Sequence, residues 1–133
     1  MLDHLFLTVG DLDRAIAFYE RVLPILGIAD RLDYDGAAGP AGHPDLKGFG
    51  ARGRMFFWLR QGTAAPGAVH VGFAADSAAM VDAAFDAARA AGATALHPPG
   101  PQAHYDPRYY AAQVKELDGY SLEFVHKPWQ HGR

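Results

Sequence analysis

Three short segments of the chain alternate between an apolar face and a face that carries the polar residues. They are residues 2–9, 69–74 and 121–125. An alternation with a period of two predicts β-strands that bury one face and turn the other face away from the core. On their polar faces these segments carry His4, His70 and Glu123, respectively.

Helical spacing of apolar residues follows the first two of these segments. Asp11 is a plausible N-cap for the first helix, and Pro24 with Gly27 should end it. Its apolar residues recur every three or four positions, at Leu12, Ile16, Tyr19 and Leu23. Asp76 or Ser77 should cap the second helix and Gly92 should stop it. The buried stripe of that helix is expected to contain Val81, Phe85 and Ala88.

Shorter apolar runs predict the remaining strands. In the first half these strands cover 28–34, a short piece near 47–49, and 55–60. In the second half a short strand at 94–96 should lead into a stiff His-Pro-Pro-Gly-Pro loop at 97–101. A closing hairpin should turn at Asp118-Gly119, because both residues tolerate positive φ.

The order strand, helix, three strands therefore occurs twice. From His4 to Gly27 is 23 residues and from His70 to Gly92 is 22, so the two halves have similar spacing. We expect a single domain made of module one (1–62), a linker (63–67), module two (68–127) and a C-terminal tail (128–133). The predicted fold is α+β, with two βαβββ modules forming a curved, barrel-like mixed sheet, helices outside and a concave polar face within.

Composition narrows the possible functions. The chain has 133 residues, a formal net charge of −3 and no cysteine. The acidic balance argues against a nucleic-acid surface, and the lack of cysteine excludes disulfides and thiolate metal sites. No apolar run approaches the roughly 20 residues of a membrane span, and the N-terminus enters a strand without a leader pattern. The expectation is a cytoplasmic protein that binds neither nucleic acid nor membrane.

His4, His70 and Glu123 occupy equivalent inward positions on three predicted strands. Two imidazoles and one carboxylate suit a first-row divalent metal and leave coordination positions open for a substrate. A buried carboxylate between apolar neighbours also needs a counter-charge, which a metal would supply. The alternative is structural, because a strand histidine can be hydrogen-bonded within a core and Glu123 could pair with an arginine or lysine.

Several short motifs occur along the chain: Asp3-His4, Asp11-Leu12, Phe18-Tyr19, Phe57-Trp58-Leu59, Val69-His70-Val71-Gly72-Phe73, Tyr109-Tyr110-Ala111-Ala112, Asp118-Gly119 and Leu122-Glu123. Together they resemble the motifs of the vicinal oxygen chelate superfamily, and the resemblance covers nearly the whole chain. This superfamily includes glyoxalase-type lyases, extradiol dioxygenases, fosfomycin-modifying transferases and bleomycin-resistance proteins, and the short bacterial glyoxalase-like members are the most similar.

The resemblance implies paired βαβββ modules, a homodimer and a divalent metal (Zn, Ni, Mn or Fe) held by His4, His70 and Glu123. Glyoxalase lyases of this superfamily have a fourth ligand, a glutamate that also acts as a base. The matching position here is Phe57 or, with one residue of slack, Trp58, and neither can bind a metal. The remaining set of two histidines and one glutamate resembles that of the dioxygenases and fosfomycin transferases.

Further residues are candidates for contact with a small-molecule substrate. Glu123 and His104 are the candidate catalytic groups, and His104 is the candidate acid. Aromatic packing is the alternative for the residues near the last two strands. The residues expected to bind substrate are Phe6, Met55, Phe57, Tyr105, Tyr109, Tyr110 and Gln113.

Three functions fit these features. The first is a divalent-metal-dependent enzyme of the lyase or isomerase type, acting on a small substrate with vicinal oxygens. The second is a metal-free binding protein of the bleomycin-resistance type, which would sequester a planar compound in the same cavity. The third is a small extradiol-type dioxygenase, for which His104 would have to serve as the acid–base histidine.

Overall fold

The computed structural model describes residues 1–131 and contains two successive βαβββ units. Short 3₁₀ helices at Leu23–Leu26 and Gly36–Ala38 interrupt the first unit. The first unit comprises β1 (Leu5–Val9), α1 (Leu12–Val22), β2 (Asp30–Tyr34), β3 (Leu46–Ala51) and β4 (Arg54–Gln61). The second comprises β5 (His70–Ala74), α2 (Ala78–Ala90), β6 (Thr94–Pro101), β7 (Tyr110–Lys115) and β8 (Ser121–His126). The predicted α+β class and the repeated module are confirmed.

Each unit forms its own four-stranded mixed sheet. The strand orders are β1-β4-β3-β2 and β5-β8-β7-β6, so the two sheets have the same topology. In both, the first and last strands pair in parallel while the other pairs are antiparallel. Across residues 1–131 no strand pairing joins the two sheets, so the chain carries two open sheets and not one closed barrel.

Side-chain caps fix where both helices begin. The Asp11 carboxylate accepts a hydrogen bond from the Arg14 amide at 3.0 Å, as predicted. Of the two candidates for the second cap, Ser77 fills the role, because its hydroxyl accepts from the Met80 amide at 3.1 Å. Gly27 follows the first 3₁₀ turn in the left-handed region, at φ 81°. Among the described residues, neither helix has the length and apolar character needed to cross a bilayer.

One hydrophobic core joins the two modules. The rings of Phe57 and Phe73, one from each module, meet edge to face with centroids 5.3 Å apart. Phe73 also packs against Phe124 of the neighbouring strand at 6.5 Å. The predicted buried stripe of α2, which contains Val81 and Phe85, lies in this same core. Because the apolar faces of both sheets point into the core, their opposite faces are open.

The β7–β8 connection also ties the modules together. Tyr120 donates its hydroxyl to the Thr8 carbonyl at 2.5 Å and accepts from the Ala65 amide at 3.1 Å. The turn differs from the prediction in one respect. Only Gly119 has a positive φ, of 93°, while Asp118 does not. The connection spans five residues, 116–120, which lets Asp118 keep an ordinary backbone and accept a bond from the Gly10 amide at 3.0 Å.

The prediction for residues 97–101 was wrong. This segment continues β6 as a strand and is not a loop. Proline lacks an amide donor, but β6 lies at the edge of its sheet and, within residues 1–131, pairs only with β7, so the missing donors need not disrupt a second ladder. The register shifts twice, between Ala95 and His97 and between His97 and Gly100, where the prolines interrupt the pairing.

Candidate functional site

A polar row crosses the open face of the second sheet. Gly72 pairs with Glu123, Glu123 with Gln113, and Gln113 with His97, each on a successive strand. Residues in register on adjacent strands point to the same side of a sheet. A Cβ added at Gly72 would meet no atom within 4 Å, so the space above this row is open beside Glu123.

His70 and Glu123 are in direct contact on this face. The Nε2 atom of His70 lies 3.0 Å from the Oε1 atom of Glu123, and the carboxylate is buried while the imidazole is half exposed. On its other side, the Nδ1 atom of His70 lies 2.8 Å from the Ser121 hydroxyl. Ser121 pairs with His70 across the parallel strands β5 and β8, so the register sets this contact.

The second carboxylate oxygen of Glu123 is also occupied. The Tyr109 hydroxyl donates to Oε2 at 2.5 Å. Burial, together with this hydrogen bond to a carboxylate, raises the pKa of Tyr109 far above its ordinary value. Tyr109 is therefore a protonated donor at neutral pH and fixes the orientation of the carboxylate.

Aromatic rings extend outward from Tyr109. The Tyr105 ring packs on Tyr109 with centroids 5.0 Å apart, and His104 packs on Tyr105 at 4.2 Å. Hydrogen-bond contact with Glu123 is thus made by Tyr109, while His104, the predicted acid, contacts Tyr105. The Nζ atom of Lys127 lies 5.8 Å from the centre of the Tyr109 ring.

His4 lies on the open face of the first sheet. Its Nδ1 atom is 2.6 Å from the Asp3 carboxylate, and this contact lowers the pKa of Asp3. Among residues 1–131, no three or more His, Asp or Glu side chains come close enough together to hold a metal ion. One chain therefore brings His70 and Glu123 together but does not add His4. A cleft of about 300 Å³ surrounds His4 and is lined by Asp3, Phe6, Tyr34, Leu46, Met55 and Trp58.

Phe57 does not line this cleft, contrary to the expectation from the sequence. Its side chain is 2% exposed and packs in the core against Tyr19, Phe49 and Phe73. Met55 does line the cleft, although plain alternation would put it on the same face as Phe57. A register shift between β3 and β4 leaves Phe56 without a pairing partner, and Met55 consequently lies beside Trp58 in the cleft.

Two other predicted residues have different surroundings. Gln113 lies in register with Glu123, in the polar row. Tyr110 points elsewhere, because its hydroxyl donates to the Asp82 carboxylate on α2 at 2.7 Å.

Sequence reasoning missed Ser121. The parallel register could have identified it. If Gly72 pairs with Glu123, the residues two positions earlier on each strand, His70 and Ser121, must pair as well.

A cleft of about 610 Å³ lies between the two modules and reaches the open face of the second sheet at Gly72. On the side of the first module it is lined by Arg52, Arg54 and Phe56. Arg54 also donates to the Leu2 carbonyl at 3.0 Å, which holds the segment that precedes His4. This cleft gives a small molecule access to the strand next to Glu123.

These features define a class of protein: paired βαβββ modules with a polar site on one open sheet face. The chain belongs to the Glyoxalase/Bleomycin resistance protein/Dioxygenase superfamily, whose family model matches residues 1–124. No curated protein matches it. The membership agrees with the resemblance inferred from the motifs.

Solved structures share the fold along nearly the whole chain. A glyoxalase/bleomycin resistance protein from Albidiferax ferrireducens is 24% identical with a TM-score of 0.76, and the match covers 95% of this chain and 98% of that one. A glyoxylase/bleomycin resistance protein/dioxygenase domain from Frankia is 22% identical with a TM-score of 0.69, covering 100% and 98%. The fosfomycin resistance protein FosX from Listeria monocytogenes is 18% identical with a TM-score of 0.67, covering 96% and 93%. At these identities the likeness establishes the fold alone.

Proposed function

We propose that this protein is a divalent-metal-dependent enzyme that acts on a small molecule with two adjacent oxygen atoms. In this proposal His70 and Glu123 are two of the metal ligands. The observation that supports it most is the 3.0 Å contact between His70 Nε2 and Glu123 Oε1 on an accessible sheet face. Atoms that share one coordination sphere with bonds of about 2.0–2.2 Å lie at such separations.

The donor set fits a divalent ion. Metal-binding histidines usually donate their other ring N–H to a neighbour, which fixes the tautomer, and Ser121 can accept that bond from Nδ1. The Nε2 lone pair of His70 would then be free for a metal. Tyr109 holds the Oε2 atom of Glu123, so Oε1 is the oxygen that would bind the ion.

A bound ion would supply Lewis acidity toward the vicinal oxygens of the substrate. The residues of the chain would provide the rest. Tyr109 keeps the carboxylate oriented and holds a proton beside the reacting group, while the open space above Gly72 admits the substrate. Chemistry of the lyase or isomerase type fits this arrangement, because a held ion would stabilise the negative charge that develops on the substrate oxygens.

A third ligand would come from His4 of a second copy of the chain. Within one chain His4 stands apart from His70 and Glu123. The sheet that follows His4 presents an apolar row on its open face. In this row Phe6 pairs with Trp58, and Leu32 lies two strands beyond Trp58. Phe6 is 39% exposed and Leu32 is 56% exposed. Such a surface favours association. A homodimer that sets this face against the polar row of the partner would complete the site.

Metal titration tests the proposal. Wild-type protein, purified without an affinity tag and treated with a chelator, is titrated with Zn²⁺, Ni²⁺, Mn²⁺ and Fe²⁺ in a calorimeter. We expect one of these ions to bind, and Glu123→Gln and His70→Ala to weaken its binding at least about tenfold. His97→Ala is the matched control, because His97 is in the same row but three strands from His70. Equal affinity in Glu123→Gln and the wild type would contradict the proposal.

Mixing two variants tests the shared site. His4→Ala and His70→Ala are each expected to lose the complete metal site. Mixed in equal amounts and allowed to exchange subunits at random, they should regain about a quarter of the wild-type binding capacity, since about half of the dimers are heterodimers and each heterodimer holds one intact site of two. If both variants lose binding and no mixture restores it, the proposed sharing is wrong, while the metal site in Glu123 and His70 can still stand.

The second candidate function is metal-free binding of a small planar molecule. The observation that favours it is that both oxygens of Glu123 already have hydrogen-bond partners, His70 and Tyr109, so the carboxylate does not require an ion. In the calorimetric experiment this candidate predicts no binding of any of the four ions at millimolar concentration.

A further inference from the structure

We propose that Tyr105 and Tyr109 form a stacking subsite for a flat aromatic ring in the ligand. The inference deepens the proposed function, because it names the kind of molecule that the face around Glu123 takes. It rests on one chain of contacts. The Tyr109 hydroxyl donates a hydrogen bond to the Glu123 carboxylate, and the exposed Tyr105 ring packs on the Tyr109 ring.

Tyr105 is unusual for a loop aromatic because its ring is exposed and yet held in place. It is 69% exposed, one of the largest exposures of any aromatic side chain among the described residues. Leaving that much ring surface in water forgoes the gain that burial would bring. A second flat ring that covers Tyr105 would recover this gain.

Hydrogen bonds order the loop that carries Tyr105. The Gln102 amide donates to the Tyr109 carbonyl at 2.7 Å, and the Tyr105 amide donates to the Gln102 carbonyl at 2.9 Å. Arg108 donates to the Asp106 carboxylate through its main-chain amide at 2.8 Å and through its guanidinium at 3.0 Å. A binding surface that is already ordered loses little conformational entropy when a ligand arrives.

A cationic side chain near the rings favours an aromatic ligand that carries a negative group. The Nζ atom of Lys127, the residue after β8, lies 5.8 Å from the Tyr109 ring centre. An aromatic carboxylate with a neighbouring hydroxyl would place its ring on Tyr105 and its oxygens toward the site at Glu123 and His70. The ring contributes stacking and the oxygens contribute the contacts that the proposed function requires.

A series of three probes tests the subsite by changing only the ring. Salicylate is compared with a hydroxynaphthoate that has the same pair of oxygen groups on a larger ring, and with the saturated hydroxycyclohexane carboxylate. Binding is measured by calorimetry and by the upfield shift of the probe ring protons in NMR. We expect the hydroxynaphthoate to bind most tightly and the saturated probe to bind about tenfold more weakly than salicylate.

Variants assign the effect to Tyr105. Tyr105→Ala should weaken salicylate about tenfold, remove the upfield shift and leave the saturated probe unchanged, whereas Tyr105→Phe should retain wild-type behaviour. Trp129→Ala is the control, because Trp129 is another exposed ring but packs against Arg108. Light scattering on Tyr105→Ala checks that its assembly state matches the wild type.

Each outcome decides the matter. No salicylate binding at millimolar concentration, equal binding of the flat and saturated probes, or an equal loss for both in Tyr105→Ala would overturn the subsite. A change from dimer to monomer in Tyr105→Ala would also overturn it, since the ring would then serve an interface. The probe titrations are run once with chelator and once with a divalent ion. If the protein binds no metal but still binds the flat probes more tightly than the saturated one, the subsite is upheld and the metal-dependent enzyme is refuted.

Discussion

Trp58 occupies in the first module the position that Glu123 occupies in the second. Trp58 pairs with Phe6 of β1, and Glu123 pairs with Gly72 of β5, across equivalent parallel strands. Phe6 lies two residues after His4, and Gly72 lies two residues after His70. The two modules thus place an indole and a carboxylate at the same site of one architecture, so one open face is apolar and the other is polar.

The first prediction is that Trp58→Glu tightens metal binding. Trp58 lies in the same cleft as His4. If His4 completes a metal site in the dimer, a glutamate at position 58 would lie beside the same ion and supply a fourth ligand. Four ligands are typical of tightly held divalent ions, and we expect affinity to rise roughly tenfold or more. Calorimetric titration with the ion that the wild type binds measures the change.

Phe57→Glu is the matched control. The change adds the same carboxylate one residue away, but the side chain lies in the core and is 2% exposed. Burying an unpaired charge and losing the ring should cost more than about 5 kcal/mol, which is comparable with the whole stability of a small domain. We expect loss of cooperative unfolding in urea. If Phe57→Glu folded and bound metal better than Trp58→Glu, the assignment of the two faces would be wrong.

The second prediction is that Ser121→Ala weakens metal binding without unfolding the protein. The Ser121 hydroxyl contacts His70 Nδ1, and loss of such a partner typically lowers metal affinity about 10- to 100-fold because the ring is no longer held in one tautomer. Ser121→Thr keeps the hydroxyl and suits a strand, so it should restore binding. Equal affinity in the alanine and threonine variants would exclude this role.

Much of the fold was predictable from local pattern, because the deciding interactions are local. The cap at Asp11 and the strand that carries Glu123 depend on a few neighbouring residues, and the structure contains both. The segment 97–101 was not predictable in this way. Three prolines favour a loop locally, and only the position of β6 at the edge of its sheet makes a strand acceptable.

The site was predictable only in part, for a similar reason. His70 and Glu123 could be paired from equivalent strand positions, but the contact of Tyr109 with Glu123 depends on how the loop before β7 folds back. The face of Met55 depends on a register shift at Phe56 that no periodicity shows. The position of His4 relative to His70 depends on how the two sheets pack, which is set by long-range contacts in the core.

The third prediction is that Tyr120→Phe destabilises the protein. The hydroxyl of Tyr120 joins the Thr8 carbonyl of the first module to the Ala65 amide of the linker. Its removal leaves both groups without this partner, and we expect a loss of about 1–3 kcal/mol in the free energy of unfolding. Urea denaturation measures it, with Tyr105→Phe as an exposed control. An unchanged midpoint in Tyr120→Phe would mean that water replaces the lost bonds.

The fourth prediction concerns pH and Glu116. Burial raises the pKa of this carboxyl, even though the amides of Asp118 and Tyr120 and the Tyr19 hydroxyl all donate to it. Because the folded pKa is above the unfolded one, the folded state binds more protons between the two values, and stability falls as pH rises through that window. Glu116→Gln removes this titration, so the stability of the wild type relative to Glu116→Gln should be highest below about pH 4.5 and should decline toward neutrality. Urea unfolding between pH 4 and pH 7.5 checks the sign, with Glu20→Gln as an exposed control. A difference that increases in favour of the wild type as pH rises would show that the hydrogen bonds to the carboxylate outweigh its burial.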